Sequence, residues 1–592
     1  MPFPFHNSCD SDGKSLQAKF TVIVNGDRQE SANREDRMNL LTSRRAVMKA
    51  MLAISAAPWI MNSRALASSC DDHMVRIAST GSPNTMNPFA TWGSFWPLAL
   101  TYDFLVGVDA QRDPERKGFA KSWSFAGDNL TWTLKIWPGM KWSDGQPATA
   151  ADAAFTYNFL RGSIGKPDEL NVGWNNTSGL ENVESITALD DETLQIVTKS
   201  PTRWPVDNTT MIVPAHIWKD ISYADARSSF RNDPPLVGTG PMTLAEFQQG
   251  QFARLTPNPH FRTGQPKTAG LIFQYFTIID PVAQGLKSGS IDYGSGLTAA
   301  QLADLSKDPD IVVGESRVEN RSFLAFNTLS GKGAGSTKAL HDPAFRDAIG
   351  YAIDQKAIVD RALHGHADPG VGLVMPVATD YYSDLSDIRR HFDLAEASRR
   401  LDAAGYRDNN GDGVREDKEG NSFQLELLLG SGNMEMPIAA VQLITGWLGK
   451  IGVPVSVTQL DFGALTARFA TPEKGGGGWD LIVTDSWLSP SPHDLLIMGS
   501  SKEIGYNNKS YWTNEKFDKI LSEVDGTVDL KRSQDLVDQA VRLIYTEAPY
   551  IMLCYPFALD AHRKDCFEGW GTQDAVSQWG YFPLDRLRPH NG

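Results

Sequence analysis

The sequence predicts an α/β fold divided into two lobes, and three observations lead to it. The chain has 592 residues, more than a single hydrophobic core usually serves, so at least two compact bodies are expected. In its second half, strands and helices alternate. Phe423 to Leu429 reads as a strand, Ile438 to Gly449 as an amphipathic helix, Val453 to Gln459 as a strand and Trp479 to Val483 as another. That alternation builds an open sheet whose ligand crevice lies off the strand ends. Third, Lys121 to Leu160 reads as a hairpin, a tight turn and a capped helix, a small α/β unit in its own right. Hydrophobic residues at 41% and charged residues at 21% are those of an ordinary soluble globular protein. A formal charge of −15 argues against a nucleic-acid partner, which selects a basic face.

Residues 1–67 read as an address. Residues 1–42 are polar and without periodicity, and Met38 offers an alternative start. Ser43-Arg44-Arg45-Ala46-Val47-Met48-Lys49 fits the twin-arginine export pattern, an apolar run from Ala50 to Met61 follows, and Ala65-Leu66-Ala67 is a small-x-small cleavage site. The apolar run is too short to anchor the chain across a bilayer. Export in the folded state, cleavage after Ala67 and a soluble periplasmic protein are expected. Ala67-Ser68-Ser69 lacks the aliphatic residue that precedes a lipidated cysteine, so Cys70 is not read as a lipid anchor.

Val75 to Ala78 is a short strand running into the loop Ser79 to Pro88. In the hairpin, Leu130 to Trp137 alternates bulky with small or polar residues, as a half-buried strand does. Pro138-Gly139 breaks it, Ser143-Asp144-Gly145 turns the chain, and Thr149 with Asp152 forms a capping box for Ala150 to Leu160. Ile186 to Val197 supplies the returning strand pair. Gly238-Thr239-Gly240 makes a tight loop that brings backbone amides close to a ligand or a neighbouring strand.

Phe323 to Thr328 is an apolar strand. Gly331 to Lys338 lacks the ending and spacing of a phosphate loop and reads as a plain loop. Phe345 to Asp360 carries apolar residues at helical spacing, which makes Arg346 and Asp354 structural. Asp408, Asn410, Asp412, Glu416 and Glu419 fall at positions 1, 3, 5, 9 and 12 of a loop with Gly413 at 6, the spacing that wraps Ca²⁺. Arg415 at position 8 and a strand-like exit depart from that pattern. Phe517 to Pro549 gives two helices, and Tyr550 to Tyr555 a strand crossing back to the first lobe. Cys554 and Cys566 form either a disulfide or two buried thiols, and no Cys-x-x-Cys spacing favours zinc.

Trp123, Asp128, Thr131, Thr133, Gly139, Lys141, Trp142, Asp144, Gly145, Pro147, Thr149, Ala150 and Asp152 together resemble the signature of dipeptide/oligopeptide-type (family 5) solute-binding proteins of ABC importers. Val213 to Trp218, Pro235 to Phe261, Gly285 to Tyr293 and Phe345 to Ile358 resemble further family segments, and the likeness runs from about residue 75 to 590. The resemblance implies a two-lobed periplasmic-binding-protein fold with an extra α/β subdomain on the first lobe and two crossover strands forming the hinge. Lobe I then comprises 68–110, 195–318 and 550–592, the accessory subdomain 111–194, and lobe II 319–549. It also implies a monomeric binding protein, not an enzyme, that captures a peptide-like solute and passes it to a permease and ATPase, with no cofactor beyond the Ca²⁺ considered above.

Asn87 stands where the family's cleft-bordering loop has aspartate, and Thr239 and Gly240 of the Gly-Thr-Gly loop are further expected ligand contacts. Ser486-Trp487 matches a Gly-Trp at a strand end, which makes Trp487 the foremost ligand contact. Peptide binders place an aspartate just past that tryptophan for the ligand's α-amino group. Here Asp485 and Asp494 flank the place without occupying it, and residues 430–437 lack the arginine that dipeptide binders use. A longer peptide, a sugar, an opine or a nickel chelate therefore stays open as the solute. A secreted hydrolase would need a nucleophile elbow or a His-Glu-x-x-His helix. Neither is present, and His364-Gly365-His366 reads as a solvated loop.

Overall fold

One strand of 14 residues, Tyr550–Arg563, belongs to both halves of the molecule. In the computed structural model the described residues are 74–91, 95–107, 118–329, 336–430, 438–469, 477–487, 491–570 and 587–590. The twin-arginine pattern, its cleavage site and Cys70 lie outside them. Tyr550 to Cys554 pairs antiparallel with Asn320–Phe326, and Phe557 to Arg563 pairs antiparallel with Ile311–Arg317. The chain passes from one partner strand to the other through Val318-Glu319. Two segments thus run side by side from one half to the other.

A 12-stranded sheet extends on both sides of this seam. On one side Asn320–Phe326 is followed by Leu481–Trp487, Leu425–Gly430 and Val455–Leu460, the last three mutually parallel. On the other, Tyr293–Ser295, Met74–Thr80 and Gly270–Phe276 are parallel, and Phe252–Pro257 and Met242–Gln248 close the edge as an antiparallel meander.

Lobe II is a sheet covered on both faces, which is why its strands read as apolar runs and not as alternations. Leu324 and Phe326 face one core with Ile349, Leu401, Val441 and Ile444. Phe323 and Ala325 face a second core with Leu373, Leu536, Val541 and Ile544. Arg346 is built into this frame: it is buried, and its three nitrogens donate to the carbonyls of Leu340 (2.7 Å), Glu547 (2.7 and 3.2 Å) and Ala548 (3.2 Å). It thereby caps the C-terminal end of the helix Leu530–Glu547.

The accessory unit has the expected form. Strands Ala120–Phe125, Thr131–Ile136, Thr193–Thr198 and Val183–Asp190 make an antiparallel sheet. Trp132, Leu134 and Ile136 share the core of this lobe with Ala153, Tyr157 and Leu160 of the helix Ala150–Ser163. The capping box is closed: the Thr149 amide donates to Asp152 Oδ2 (2.9 Å) and the Thr149 hydroxyl accepts from Ala151 (3.3 Å). Asp152 Oδ1 also accepts from the Ala215 amide at 2.9 Å, so the cap fastens the helix to the rest of the lobe.

Cys554 is buried and forms no disulfide, whereas Cys566 is disulfide-bonded, so these two do not pair with each other. The crossing strand explains why. It carries the chain away from Cys554 at ~3.3 Å per residue, far beyond the ~7 Å separation that a disulfide tolerates. Among the described residues no helix is long and apolar enough to cross a membrane.

Candidate functional site

The three parallel strands of lobe II run in one direction to Gly430, Leu460 and Trp487, the first two ending in register and the third continuing beyond its last pair at Val483. The antiparallel strand that begins beside them starts at Asn320, in register with Trp487, directly after the chain has crossed from the other lobe. The strand-end edge of lobe II therefore lies at the seam, where an open α/β sheet places its ligand crevice. The side chain of Trp487 and residues 431–437 and 488–490 lie outside the described residues.

Four charged groups lie on or beside this edge. Arg321 opposes Ser486 in the ladder and is fully buried. Its Nη1 donates to the carbonyls of Leu373 and Leu495, the latter at 3.2 Å, while Nε and Nη2 donate to no acceptor among the described residues. Those two N–H groups form one side of the planar guanidinium, the arrangement that grips both oxygens of a carboxylate. Burial lowers the Arg321 pKa to about 10, opposed by Tyr555, Tyr550 and Asp494, so the group stays charged at neutral pH. Burial likewise lowers the half-buried Lys509 to about 8, with Asp485 pulling it up and Arg321 pushing it down. Arg321, Lys509, Asp485 and Asp494 thus form one electrostatic group at the edge. Asp485 and Asp494 are the two acids that the sequence places near the crevice.

The three lobe I candidates fall elsewhere. Asn87 is fully buried, with Nδ2 donating to the Ala226 (2.7 Å) and Phe230 (2.6 Å) carbonyls and Oδ1 accepting from Phe89 (2.8 Å). The Thr239 hydroxyl donates to Asp103 at 2.8 Å, beneath an ion pair between Asp103 and Arg262 at 2.6 Å. The Gly240 amide donates to the Thr101 carbonyl at 2.9 Å, and a Cβ on Gly238 would stand 1.9 Å from that same oxygen. The polar groups of Asn87 and Thr239 and the Gly240 amide are spent on the lobe's own framework. The close approach that the glycines permit is to Leu100 and Thr101.

At the far edge of lobe II, the carboxylates of Asp408, Asp412 and Glu416 converge, with one oxygen of each within 4.8 Å of the others. Asn410 belongs to the same turn, its Oδ1 accepting from the Asp412 amide at 2.8 Å. Glu419 is exposed and outside the group, its amide donating to Asp417.

Two titratable groups occupy the lobe I half of the crossing strand. Burial raises Asp560 to about 6 and lowers His562 to about 4; the imidazole stacks on Trp570 at 4.9 Å. An unfolded aspartate ionises near ~3.9, so the ionised form opposes folding, and the contribution of Asp560 to stability is present below pH ~4 and lost as pH rises through about 6. Asp560→Asn is expected to raise stability at pH 7 by about 2–3 kcal/mol and to add little at pH 4. Urea denaturation at the two pH values reads this, and an equal gain at both would contradict it. His562 acts in the opposite sense, removing stability as pH falls from 6.5 towards 4.

Residues 116–507 match the family model described as "Bacterial extracellular solute-binding proteins, family 5 Middle". The chain is 24% identical over 485 residues to the oligopeptide-binding protein AppA of Bacillus subtilis, covering 81% of this chain and 86% of that one. The structure of AppA from B. subtilis in complex with a nonapeptide superposes with a TM-score of 0.67 at 22% identity, over 87% of this chain and 98% of that one. NikZ from Campylobacter jejuni in complex with Ni(L-His) superposes with a TM-score of 0.70 at 21% identity, over 87% and 99%. These likenesses agree with the two-lobed α/β fold described above. With well over half of its 592 residues matched by the family model, the protein belongs to the bacterial extracellular solute-binding proteins of family 5.

Proposed function

We propose that the protein is the substrate-binding component of an ABC import system, which captures a peptide-like, carboxylate-bearing solute between its lobes and delivers it to a membrane permease and its ATPase. The observation that carries the choice of solute is the half-empty guanidinium of Arg321. Arg346, a purely structural arginine of the same lobe, uses all three nitrogens on main-chain carbonyls, whereas Arg321 leaves one complete side of its fork unpaired at the strand-end edge. A buried cation without a bound counter-charge is costly, and a solute carboxylate supplies that charge. Lys509 beside it adds to the attraction, while Asp485 and Asp494 are placed to receive a cationic group of the same solute.

The two segments crossing the seam are the natural hinge. A solute touching both lobes favours the closed state, and the permease reads the closed state. The protein acts as a monomer in the periplasm, reached by the twin-arginine route with cleavage near Ala67, and releases its solute chemically unchanged.

A second reading keeps the fold and the carboxylate but changes the cargo to an amino-acid chelate of a metal. The lack of an aspartate among residues 488–493, just past Trp487, where the family resemblance places the amine-binding group of peptide binders, favours it. Thermal-shift screening of the purified protein against peptides of graded length, sugars, opines and nickel–amino-acid chelates separates the readings. Peptides are expected to raise the melting temperature and to be recovered intact by mass spectrometry. A response to neutral sugars alone would contradict the proposal.

A further inference from the structure

We propose that the turn at Asp408–Glu416 is a calcium site that braces the edge of lobe II remote from the crevice. Three carboxylates bring an oxygen each within 4.8 Å, and among the described residues no lysine or arginine is paired with any of them. Glu416 is 4% exposed. Its Oε2 accepts from the amide and side chain of Asn409 (2.7 and 3.1 Å), but its Oε1 has no hydrogen-bond partner among the described residues. A buried carboxylate oxygen without a donor, set beside two further negative groups, is unfavourable by desolvation and by repulsion. A cation bound among the three relieves both.

The donor set selects the metal. All candidate ligands are oxygens, with no nitrogen or sulfur ligand in the group, which fits a hard cation and not zinc. The oxygens come from an irregular turn in which Gly411 and Gly413 take left-handed backbone angles of 78° and 88°. Calcium accepts such irregular oxygen cages, while magnesium demands near-octahedral order.

The site departs from the twelve-residue calcium loop that the spacing suggests. Glu419, at position 12, is exposed and apart from the group. Glu416, at position 9, closes the cluster, held there by main-chain bridges to Arg407 and Ser422. Its neighbour Arg415 donates to the carbonyls of Ile451 (2.6 Å) and Tyr406 (2.5 Å), and its amide to that of Gly452 (2.8 Å). These contacts bind the turn to the connection between the helix Ile438–Lys450 and the strand Val455–Leu460. That connection enters the parallel strands at their amino ends, opposite the crevice, so the bound ion stabilises the lobe and does not touch solute.

The test is calorimetric titration of CaCl₂ into the chelator-stripped full chain, with melting curves alongside. One site with a dissociation constant of about 10⁻⁵ to 10⁻³ M and a rise in melting temperature are expected, with magnesium at least about tenfold weaker. Asp412→Asn, an exposed change that leaves the packing intact, is expected to weaken calcium at least about tenfold, and Glu416→Gln similarly, because each removes one of three charged ligands. Glu419→Gln is expected to leave the affinity unchanged. A silent titration, an affinity indifferent to Asp412→Asn, or an affinity lost in Glu419→Gln would each overturn the assignment.

Discussion

Arg321→Met is expected to lower solute affinity by about 100-fold or more while shifting folding stability by no more than about 1 kcal/mol, since removing one partner of a buried charge-assisted pair costs about 2–5 kcal/mol of binding. The small stability effect has two opposing terms. The substitution strands the carbonyls of Leu373 and Leu495, worth about 1–3 kcal/mol together. It also removes a desolvated cation whose fork meets no acceptor, which stabilises by a similar amount. Methionine keeps the volume and flexibility of the arginine stem. Calorimetry with the solute found in the screen and urea denaturation give the two readings. A variant that binds normally, or one that loses several kcal/mol of stability, would make Arg321 a framework residue.

Arg346→Met should do the reverse. Its guanidinium is matched donor for acceptor against Leu340, Glu547 and Ala548, so truncation removes the donor from two buried carbonyls and one partly buried carbonyl at a helix end. A loss of about 3–5 kcal/mol in stability is expected. The fraction that remains folded should bind solute with unchanged affinity, because the residue lies within the frame and away from the strand-end edge. The pair of variants therefore separates a cation kept for binding from a cation kept for folding. A stability loss below about 1 kcal/mol would contradict the account of Arg346.

Much of the frame is legible in the sequence because it follows from local rules. The alternation in Thr131–Ile136, the Thr149–Asp152 box, the apolar strands of lobe II and the helices between them all express short-range patterns. The crossing strand is legible only in part. Pro556 suggests a break after Tyr555, yet the strand continues to Arg563. The proline falls between the last pair with Asn320–Phe326 at Cys554 and the first with Ile311–Arg317 at Phe557, where the missing N–H matters least.

The site is less legible because its meaning depends on which polar groups find partners. Gly238-Thr239-Gly240 announces a close approach, and only the fold shows that it is to Thr101. Asn87 looks like a cleft residue until its amide is seen to be satisfied by Ala226 and Phe230. Arg321 carries one available signal, a charge at the start of a strand that is otherwise apolar beyond Ser322 and is buried throughout. That signal becomes informative only when its fork is seen to be half empty. In the acidic turn, spacing nominates both Glu416 and Glu419, and only the fold shows that Glu416 alone of the two joins Asp408 and Asp412.

The measurement that bears most directly on the central claim is calorimetric titration of the protein with one peptide in two forms, its C-terminus free or amidated. Binding of the free form at least about 30-fold tighter, with the difference abolished in Arg321→Met, is the result predicted from a charge-assisted pair. Equal affinity for the two forms would contradict it, and would place the solute's anchoring away from the Arg321 edge.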